Sequence, residues 1–236
     1  MIQKIIVTGG DGRFAKELKK IKSKYKFIFR NKKQLNILSI KSIKSNLNKI
    51  KPDCVLHLAG LSRPMDIHNK NINKSIDLNI IGTANLVKIC NLFNKKLIFF
   101  STSYLYPGKK GNYKESDPLL PWNNYGWSKL GAESAVQMYK NSLIIRASMT
   151  EKPFTHKSAF LNVKTNFMFH DQFAKIFIKV IQYKGILNIG GKTQSIYSFA
   201  KKYNKNIQGK KSKGELPSNI YMNLNKLKKL KSYENN

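Results

Sequence analysis

The sequence has few cysteine residues and no long apolar run, and these shortages exclude two classes of protein. Its 236 residues include two cysteines, Cys54 and Cys90, which lie in apolar runs without the spacing of a metal or redox motif. A secreted fold held by disulfides is therefore not expected. No apolar run approaches the roughly 20 residues that cross a membrane, and the start MIQKIIVTGG is unlike a signal peptide. We expect a soluble, cytoplasmic protein without a membrane partner.

Acidic residues and arginine are also scarce. Only 12 residues are acidic and only four of the 44 basic residues are arginine, which leaves a formal net charge of +32. A charge of this size raises nucleic acid as a partner. The lysines, however, are scattered along the chain, and asparagine and isoleucine are abundant with them, as in NKNINKSIDLNI. We therefore attribute the charge to a compositional bias and expect small anionic ligands rather than nucleic acid.

The apolar pattern predicts an α/β fold up to residue 148. Strand-like runs alternate with helix-like stretches, which predicts parallel strands joined by crossover helices in one open sheet. The predicted strands cover 4–8, 26–30, 52–60, 96–103 and 142–148, and the predicted helices cover 13–22, part of 35–50, 75–93 and 123–139. We assign residues 1–148 to one domain built on this sheet.

The pattern loosens after residue 148. The sequence predicts irregular structure over 149–168, a helix over 170–184 and a short strand and turn over 185–191. It then predicts a helix over 195–204, a basic loop over 207–218 and a closing helix over 223–232. This part is small for an independent domain. We assign residues 149–236 to a small C-terminal lobe over the ligand, with part of 170–192 returning to the main domain.

A glycine-rich turn follows the first predicted strand. Gly9, Gly12 and Ala15 have the spacing G-x-x-G-x-x-A. In this pattern the first glycine allows a tight turn, the second lets the backbone approach a pyrophosphate, and the small third residue lets helix and strand pack closely. The helix that starts near Arg13 would present free amides to the phosphates. The position directly after the first strand favours a dinucleotide site.

The second predicted strand ends in Arg30, where many NAD-binding folds have an acidic residue for the ribose hydroxyls. The cationic segment Arg30-Asn31-Lys32-Lys33 suits a 2′-phosphate instead. The sequence therefore favours NADP(H) as the cofactor, with NAD(H) as the alternative. An incidental arginine in a lysine-rich segment would also explain the pattern.

Three side chains between residues 101 and 129 suit proton transfer. Thr102 ends an apolar run, and Tyr125 and Lys129 lie four residues apart on a predicted helix, so they share a face. A free tyrosine has a pKa near ~10, and an ammonium group about 4 Å away would lower it towards neutrality at an effective dielectric of ~20. The pair then suits acid–base work, although Tyr-x-x-x-Lys also arises by chance in a lysine-rich helix.

The sequence resembles an extended short-chain dehydrogenase/reductase of the epimerase/dehydratase superfamily. The matching segments VTGGDGRFA, HLAG, LNIIGTANLV, FFSTSYLYPG and YGWSK occur in that family's order over about residues 4–147. The resemblance implies a Rossmann-type NADP-binding domain over residues 1–148 and a catalytic triad of Thr102, Tyr125 and Lys129. It implies that Thr102 hydrogen-bonds the substrate oxygen and that Tyr125 gives or takes the proton. Lys129 would hold the nicotinamide ribose and lower the tyrosine pKa.

The resemblance also implies a set of cofactor-binding residues at the carboxyl ends of the strands. Its members are Gly9, Gly12, Arg13, Phe14, Ala15, Arg30, Asn36, Leu58, Ala59, Gly60, Tyr125 and Lys129. Asn36 stands where relatives often have an aspartate near the adenine.

Within this family the sequence is similar to sugar-nucleotide reductases of the dTDP-4-dehydrorhamnose reductase type, on the basis of STSYLYPG. Ser103 and Tyr104 replace the Asp-Glu pair of the 4,6-dehydratases, and Tyr104 stands where GDP-fucose synthases have the cysteine used for epimerisation. We therefore expect neither dehydration nor that epimerisation.

These similarities imply NADPH-dependent reduction of the 4-keto group of a nucleotide-linked deoxysugar, and a homodimer is one expectation for the assembly. A nucleotide-sugar 4-epimerase using the same site, or a non-catalytic NADP-binding regulatory subunit, are the alternatives. No metal site is expected, because His68 and His156 lack partners at ligand spacing. We expect His57 to be structural and Asp171 to cap, or to face the positive end of, the helix that it begins.

Overall fold

The centre of the molecule is a six-stranded parallel sheet, seen in a computed structural model that describes residues 2–233 and the side chains of residues 2–230. In chain order the strands are β1 (Lys4–Thr8), β2 (Lys26–Arg30), β3 (Cys54–His57), β4 (Lys96–Thr102), β5 (Ser142–Ala147), β6 (Met149–Thr150), β7 (Ser158–Phe160), β8 (Lys164–Thr165), β9 (Met168–Phe169), β10 (Gly185–Ile189), β11 (Gln194–Ser195) and β12 (Gln208–Lys210).

The helices lie between these strands along the chain. They are α1 (Arg13–Lys19), α2 (Ile40–Ile50), α3 (Ile67–Lys70), α4 (Ile72–Ser75), a π-helical turn (Ile76–Ile81), α5 (Gly82–Leu92), a 3-10 turn (Ser103–Leu105), α6 (Asn124–Gln137), α7 (His170–Val180), α8 (Ile196–Lys201) and α9 (Asn225–Tyr233). No helix in the described part of the chain combines the length and the apolar character needed to span a bilayer.

The strand order in the sheet is β2-β1-β3-β4-β5-β10. The direction of winding changes between β1 and β3, because β2 lies on one side of β1 and the later strands lie on the other. In open parallel sheets, ligands bind in the crevice at this position, beyond the carboxyl ends of the strands. The predicted doubly wound sheet of the Rossmann type is therefore confirmed.

Both faces of the sheet are covered by helices, which explains why its strands are almost continuously apolar. On β1, Ile5 and Val7 face one core together with Phe14 of α1 and Phe173 of α7. Ile6 faces the opposite core, to which α2, α5 and α6 contribute. The alternation along one strand thus places helices on both sides of the sheet, as doubly wound folds require.

The C-terminal part has more regular structure than its sequence predicted. The stretch 149–168, expected to be irregular, contains β6, β7, β8 and the first residue of β9, and the predicted basic loop contains β12. These strands are two or three residues long and pair with partners far along the chain, as β7 does with β12 and β8 with β11. Strands this short show no apolar period, so the sequence does not reveal them.

Residues from these short strands, from α8 and from the loops between them build a separate apolar cluster. It comprises Phe154, Ala159, Val163, Phe169, Ile196, Phe199, Ala200, Ile207 and Ile220. The helix α7 and the strand β10, by contrast, pack into the main sheet and its core. The chain therefore leaves the sheet after β5 and returns to it for α7 and β10.

Candidate active site

A cavity of about 410 Å³ opens beyond the carboxyl ends of β1, β3, β4 and β5. The predicted site residues that line it are Gly12, Arg13, Phe14, Ala15, Leu58, Ala59, Gly60, Thr102, Tyr125 and Lys129. The remaining predicted residues, Gly9, Arg30 and Asn36, do not line it. The topology therefore brings the triad and most of the glycine-rich turn to one cavity, although they are spread over more than a hundred residues.

The glycine-rich turn packs against the end of β3. Gly9 has a φ of +66°, and a Cβ there would lie 2.7 Å from the backbone nitrogen of Ala59. Only glycine fits this combination of backbone angle and close approach. The Gly12 amide donates to the Gly9 carbonyl at 2.9 Å, which closes the turn, and no side chain caps the start of α1. The turn can therefore accept a diphosphate along its backbone, as a dinucleotide requires.

Arg30 ends β2 beside this turn. Its carbonyl accepts a hydrogen bond of 2.9 Å from the amide of Gly10, the residue after Gly9. The Nε atom of Arg30 is buried and has no hydrogen-bond partner among the described residues. A buried guanidinium nitrogen without a partner is costly. An anionic group bound beside β2 would satisfy it.

Asn36 is engaged in its own loop. Its Oδ1 accepts from the backbone amide of Leu38 at 3.0 Å, and its own backbone amide donates to the Ser42 hydroxyl at 3.0 Å. The contact with adenine that the resemblance implies for Asn36 stays a prediction.

Tyr125 lies in the first turn of α6 because Asn123 caps that helix. The Oδ1 of Asn123 accepts from the Gly126 amide at 2.7 Å, which is the interaction that an N-cap asparagine provides. The hydroxyl of Thr102, at the end of β4, is close enough to the Tyr125 phenol to lower its pKa. The phenol is therefore held between a strand end and a helix start.

The expected lowering of the Tyr125 pKa is not what the structure has. Burial raises the pKa of Tyr125 to about 12 and outweighs the Thr102 hydroxyl and the charges of Arg63 and Arg13, which lower it. Removal of the phenol from water disfavours the phenolate more than these groups favour it. At neutral pH the side chain is therefore a protonated phenol, which can donate a proton.

Lys129 is buried on the same helix, and its Nζ lies 4.1 Å from the centroid of the Phe99 ring. Burial lowers the pKa of Lys129 to about 7, although the carboxylate of Glu133 one turn further along raises it. The ammonium group is thus directed over an aromatic ring, an arrangement that stabilises the cation. The burial of Lys129 does not follow from its i, i+4 spacing to Tyr125.

Aromatic side chains surround the Tyr125 ring. The Tyr104 ring packs against it edge to face, with centroids 6.0 Å apart, and the His68 ring lies 5.1 Å away. His68 is buried, its Nδ1 lies 2.7 Å from the Ser75 hydroxyl, and its Nε2 has no partner within the described part of the chain. Sequence reasoning missed this contact of His68 with Tyr125, because the short helix α3 that carries His68 shows no motif.

Asn79 was also missed, and it organises the site from the π-helical turn. Its Nδ2 donates to the Leu61 carbonyl at 2.9 Å and to the Ser128 hydroxyl at 2.8 Å, and its Oδ1 accepts from the Leu61 amide at 2.7 Å. Ser128 in turn donates to the Tyr125 carbonyl at 2.8 Å. Short π-helical segments often occur at functional sites. Here the segment ties the loop after β3 to the helix that holds Tyr125.

His57 has the structural role that the sequence predicted. Burial lowers the pKa of His57 to about 3, and the charge of Lys129 acts in the same direction. Its Nδ1 lies 2.9 Å from the Thr8 hydroxyl and its Nε2 lies 3.0 Å from the Thr83 hydroxyl. The Thr83 hydroxyl donates to the Asn79 carbonyl, so it accepts from Nε2–H. The neutral ring is fully hydrogen-bonded.

Asp171 lies in the first turn of α7, where its charge faces the positive end of the helix. Phe169 is the N-cap residue, so the alternative that Asp171 caps the helix is wrong. Among the side chains that the structure describes, no group of three or more histidine, cysteine, aspartate or glutamate residues could hold a metal ion.

Comparison with known proteins matches most of the chain to one family. The profile of the family described as RmlD substrate binding domain matches residues 3–168. The spore coat polysaccharide biosynthesis protein SpsK of Bacillus subtilis is 33% identical over 149 residues, which are 61% of this chain and 52% of SpsK. The methionine adenosyltransferase 2 subunit beta of Xenopus laevis is 32% identical over 102 residues, 43% of this chain and 30% of that protein. The chain spans about half, or less, of the length of these relatives.

Two solved structures have the same fold over nearly the whole chain. The dTDP-4-dehydrorhamnose reductase of Bacillus anthracis, in complex with NADP, has a TM-score of 0.86 at 21% identity and covers 97% of this chain and 91% of its own. The UDP-glucose 4-epimerase of Thermus thermophilus, in complex with NAD, has a TM-score of 0.76 at 14% identity, with 98% and 93% covered. At these identities the similarity establishes the fold.

Proposed function

We propose a function from the premise that the chain belongs to the RmlD substrate-binding-domain family, whose profile matches residues 3–168. This membership confirms the resemblance to extended short-chain dehydrogenases/reductases drawn from the sequence motifs. The proposed function is NADPH-dependent reduction of the 4-keto group of a nucleotide-linked deoxysugar. The observation that supports it most is the position of Thr102, Tyr125 and Lys129 on the cavity that the glycine-rich turn also lines.

The residues at the sheet edge fit a dinucleotide. Gly12 to Ala15 would hold the diphosphate, and the buried, unpartnered Nε of Arg30 would meet a 2′-phosphate. The Bacillus anthracis reductase of the same fold was solved in complex with NADP, which supports this choice. When bound, NADPH would supply the hydride, and Lys129 would hold the nicotinamide ribose.

The protein groups would supply the proton and orient the substrate. Tyr125 would donate its phenolic proton to the oxygen of the reduced carbonyl, and the Thr102 hydroxyl would hydrogen-bond that oxygen. Since burial raises the pKa of Tyr125 to about 12, the phenol is in the protonated form that a reduction consumes. The short strands and α8, which lie outside the main sheet, would cover the sugar.

The reductase proposal predicts stoichiometric consumption of NADPH. A mixture of the purified chain, NADPH and a 4-keto-6-deoxy sugar nucleotide should lose absorbance at the nicotinamide band. One reduced sugar should form for each NADPH consumed. A 4-epimerase would instead interconvert two 4-hydroxy sugar nucleotides with no net consumption of cofactor. Absence of NADPH oxidation with a panel of such keto sugars would contradict the proposal.

The regulatory-subunit alternative is supported by a specific observation, the 32% identity to a methionine adenosyltransferase 2 subunit beta over 102 residues. In that case the chain would bind NADPH without chemistry and would change the activity of a partner enzyme. The same assay separates the reductase from the regulatory subunit. A regulatory subunit would change the fluorescence of NADPH on binding but would leave NADPH unconsumed.

The cofactor proposal predicts a preference for NADPH over NADH that depends on Arg30. Arg30→Ala should weaken NADPH binding about tenfold or more, the effect of losing a hydrogen bond to a charged group, and should leave NADH binding nearly unchanged. Fluorescence titration of both cofactors measures this. The control is Lys49→Ala, which removes the same charge from an exposed position on α2. Equal affinities for the two cofactors, or a preference that survives Arg30→Ala, would disprove the assignment.

A further inference from the structure

The ring of Tyr125 is in contact with two other rings beside the cavity. The His68 centroid lies 5.1 Å from the Tyr125 centroid, with 56° between the ring planes, and the Tyr104 centroid lies 6.0 Å away at 85°. Tyr104 belongs to the 3-10 turn after β4, so the strand that ends in Thr102 places it. His68 belongs to α3 and reaches Tyr125 from a separate segment. Its contact therefore depends on how α3 is held.

Two neighbouring residues of α3 meet two neighbouring residues of α6. Asn69 lies on α3, and its Oδ1 accepts from Asn124 Nδ2 at 2.9 Å. The next residue of α6 is Tyr125, on which the His68 ring packs. Asn124 and Tyr125 both belong to the first turn of α6. The hydrogen bond and the ring contact thus dock α3 on that turn and fix the imidazole ring against the phenol ring.

His68 is also fixed from behind. It is 1% exposed, and its Nδ1 lies 2.7 Å from the hydroxyl of Ser75, which is buried at the end of α4. No other acceptor for this hydroxyl is found among the described residues, so Ser75 donates to Nδ1. The Nε2 of the neutral ring then carries the hydrogen, and it is buried without a partner in the described part of the chain. The ring is therefore held by Ser75 on one nitrogen only.

A phenol that donates a proton needs a fixed position and little water. A misplacement of about 1 Å can cost about 10² in rate. Rings packed on Tyr125 restrict its side-chain torsions, and they also remove the phenol from water. This burial raises the pKa of Tyr125 to about 12. Loss of a neighbouring ring would therefore loosen the phenol and admit water to it.

We propose that His68 is a positioning residue for Tyr125, whose imidazole ring holds the phenol at the cavity and keeps water from it. Ser75 and Asn69 hold His68 in this place. The inference rests on the proposed function, since it takes Tyr125 to be the proton donor. It assigns a role in the reaction to a buried titratable ring that does not itself line the cavity.

Two variants separate the ring of His68 from its hydrogen bond. His68→Asn keeps an acceptor for the Ser75 hydroxyl but removes the ring. The double variant His68→Phe/Ser75→Ala keeps a ring and removes both polar partners, together with the unpartnered Nε2, an exchange that can be nearly neutral for stability. Because the ring is what contacts Tyr125, we expect His68→Asn to be the impaired variant.

The ionisation of Tyr125 reports the contact without any turnover. At about pH 10 a phenol with a pKa of about 12 is ~1% ionised, whereas one with the ordinary pKa of ~10 is about half ionised. The chain is labelled with ¹³C at the tyrosine Cζ atoms, and the Tyr125 signal is the one absent from Tyr125→Phe. His68→Asn should raise the ionised fraction about fivefold or more, because water reaches the phenol. The double variant should leave the fraction nearly unchanged.

Steady-state kinetics with NADPH and a 4-keto-6-deoxy sugar nucleotide gives the second readout. His68→Asn should lower kcat about tenfold and leave KM within about twofold, because a misplaced acid slows the chemical step more than it weakens binding. The double variant should keep kcat within about threefold of the unmodified chain. NADPH affinity, measured by fluorescence titration, should be the same in both variants.

The matched control is His156→Asn. The His156 ring packs on an aromatic ring too, with its centroid 5.3 Å from that of Phe154, but it does not line the cavity. The same substitution there should change neither the ionisation of Tyr125 nor kcat. Its result separates the loss of any packed imidazole from the loss of this one.

Two outcomes would overturn the inference. An unchanged ionisation of Tyr125 in His68→Asn would show that the ring does not shield the phenol. An equal loss of kcat in the two His68 variants would assign the effect to the hydrogen bond with Ser75. His68→Asn adds no bulk, so its spectrum decides the matter even if the larger phenylalanine ring disrupts the core. If the unmodified chain oxidises no NADPH, the proposed function fails, and the spectrum still decides whether His68 holds Tyr125.

Discussion

Tyr125 and Lys129 show how burial changes the chemistry of a residue pair. Their spacing on α6 suggested that the lysine charge would bring the phenol towards neutrality. In the folded chain, burial raises the pKa of Tyr125 to about 12 and lowers that of Lys129 to about 7. Both shifts favour the neutral form, as desolvation does. For these two side chains, the effect of burial on the pKa is larger than the effect of the neighbouring charges.

The proposed role of Tyr125 can be tested by removing one oxygen atom. Tyr125→Phe should reduce turnover by about 10²–10⁴, the usual contribution of a general acid, and should leave NADPH affinity nearly unchanged because the ring can still pack. Lys129→Met should impair both turnover and NADPH binding. Steady-state kinetics and fluorescence titration measure the two effects. The control is Tyr203→Phe, at a phenol that is 51% exposed. Near-normal turnover of Tyr125→Phe would mean that the proton comes from another group.

At the scale of elements, a buried ion pair fixes α6 on the sheet. Glu133 of α6 is 0% exposed, and its Oε1 accepts from Arg146 Nη2 of β5 at 2.7 Å. Its Oε2 accepts from the Ser101 hydroxyl of β4 at 2.5 Å. Arg146 also donates to the Tyr106 hydroxyl at 2.8 Å. The helix that holds Tyr125 is thereby held in register with the strand that ends in Thr102.

Breaking this pair should destabilise the fold rather than only the site. Glu133→Gln leaves the Arg146 guanidinium buried without a counter-charge, and we expect a loss of about 3–5 kcal/mol in the free energy of unfolding. Urea denaturation followed by circular dichroism measures it. Ser134→Ala, on the exposed face of the same helix, should change the stability by no more than about 0.5 kcal/mol. A loss below about 1 kcal/mol in Glu133→Gln would show that the pair is replaceable.

At the scale of the whole molecule, the burial of His57 makes the free energy of unfolding depend on pH. Its ring joins Thr8 of β1 to Thr83 of α5 from within β3, and it is buried as a neutral group. Burial lowers the pKa of His57 to about 3, below its usual value of 6.5. Between these two values the unfolded chain binds a proton that the folded chain does not. The stability that the neutral ring contributes is therefore present above pH 6.5 and is lost as the pH falls towards 3.

The free energy of unfolding should accordingly fall by about 1.4 kcal/mol for each pH unit below about 6.5 on account of His57 alone. In His57→Gln, which has no titrating ring, this slope should be smaller, although the variant starts from a lower stability at pH 7. The exposed His156 provides the control, since His156→Gln should keep the slope of the unmodified chain. The same steepness in His57→Gln would assign the acid sensitivity to other groups.

The sequence by itself determined what depends on neighbours along the chain. The spacing of Gly9, Gly12 and Ala15 and the alternation of apolar strands and helices predicted the doubly wound sheet. The cap before α6 and the i, i+4 spacing of Tyr125 and Lys129 likewise follow from local geometry. Such features involve residues a few positions apart, so the backbone alone fixes their distances.

Only the tertiary structure decided which distant groups meet and which are removed from water. Arg63 and Glu151 are 88 residues apart in the chain and form an ion pair in the fold. His68 packs on Tyr125, and the short strands of residues 149–168 exist only because partners elsewhere in the chain complete them. The raised pKa of Tyr125 has the same origin. Desolvation and long-range contacts depend on the closed core, and no local pattern of residues contains that information.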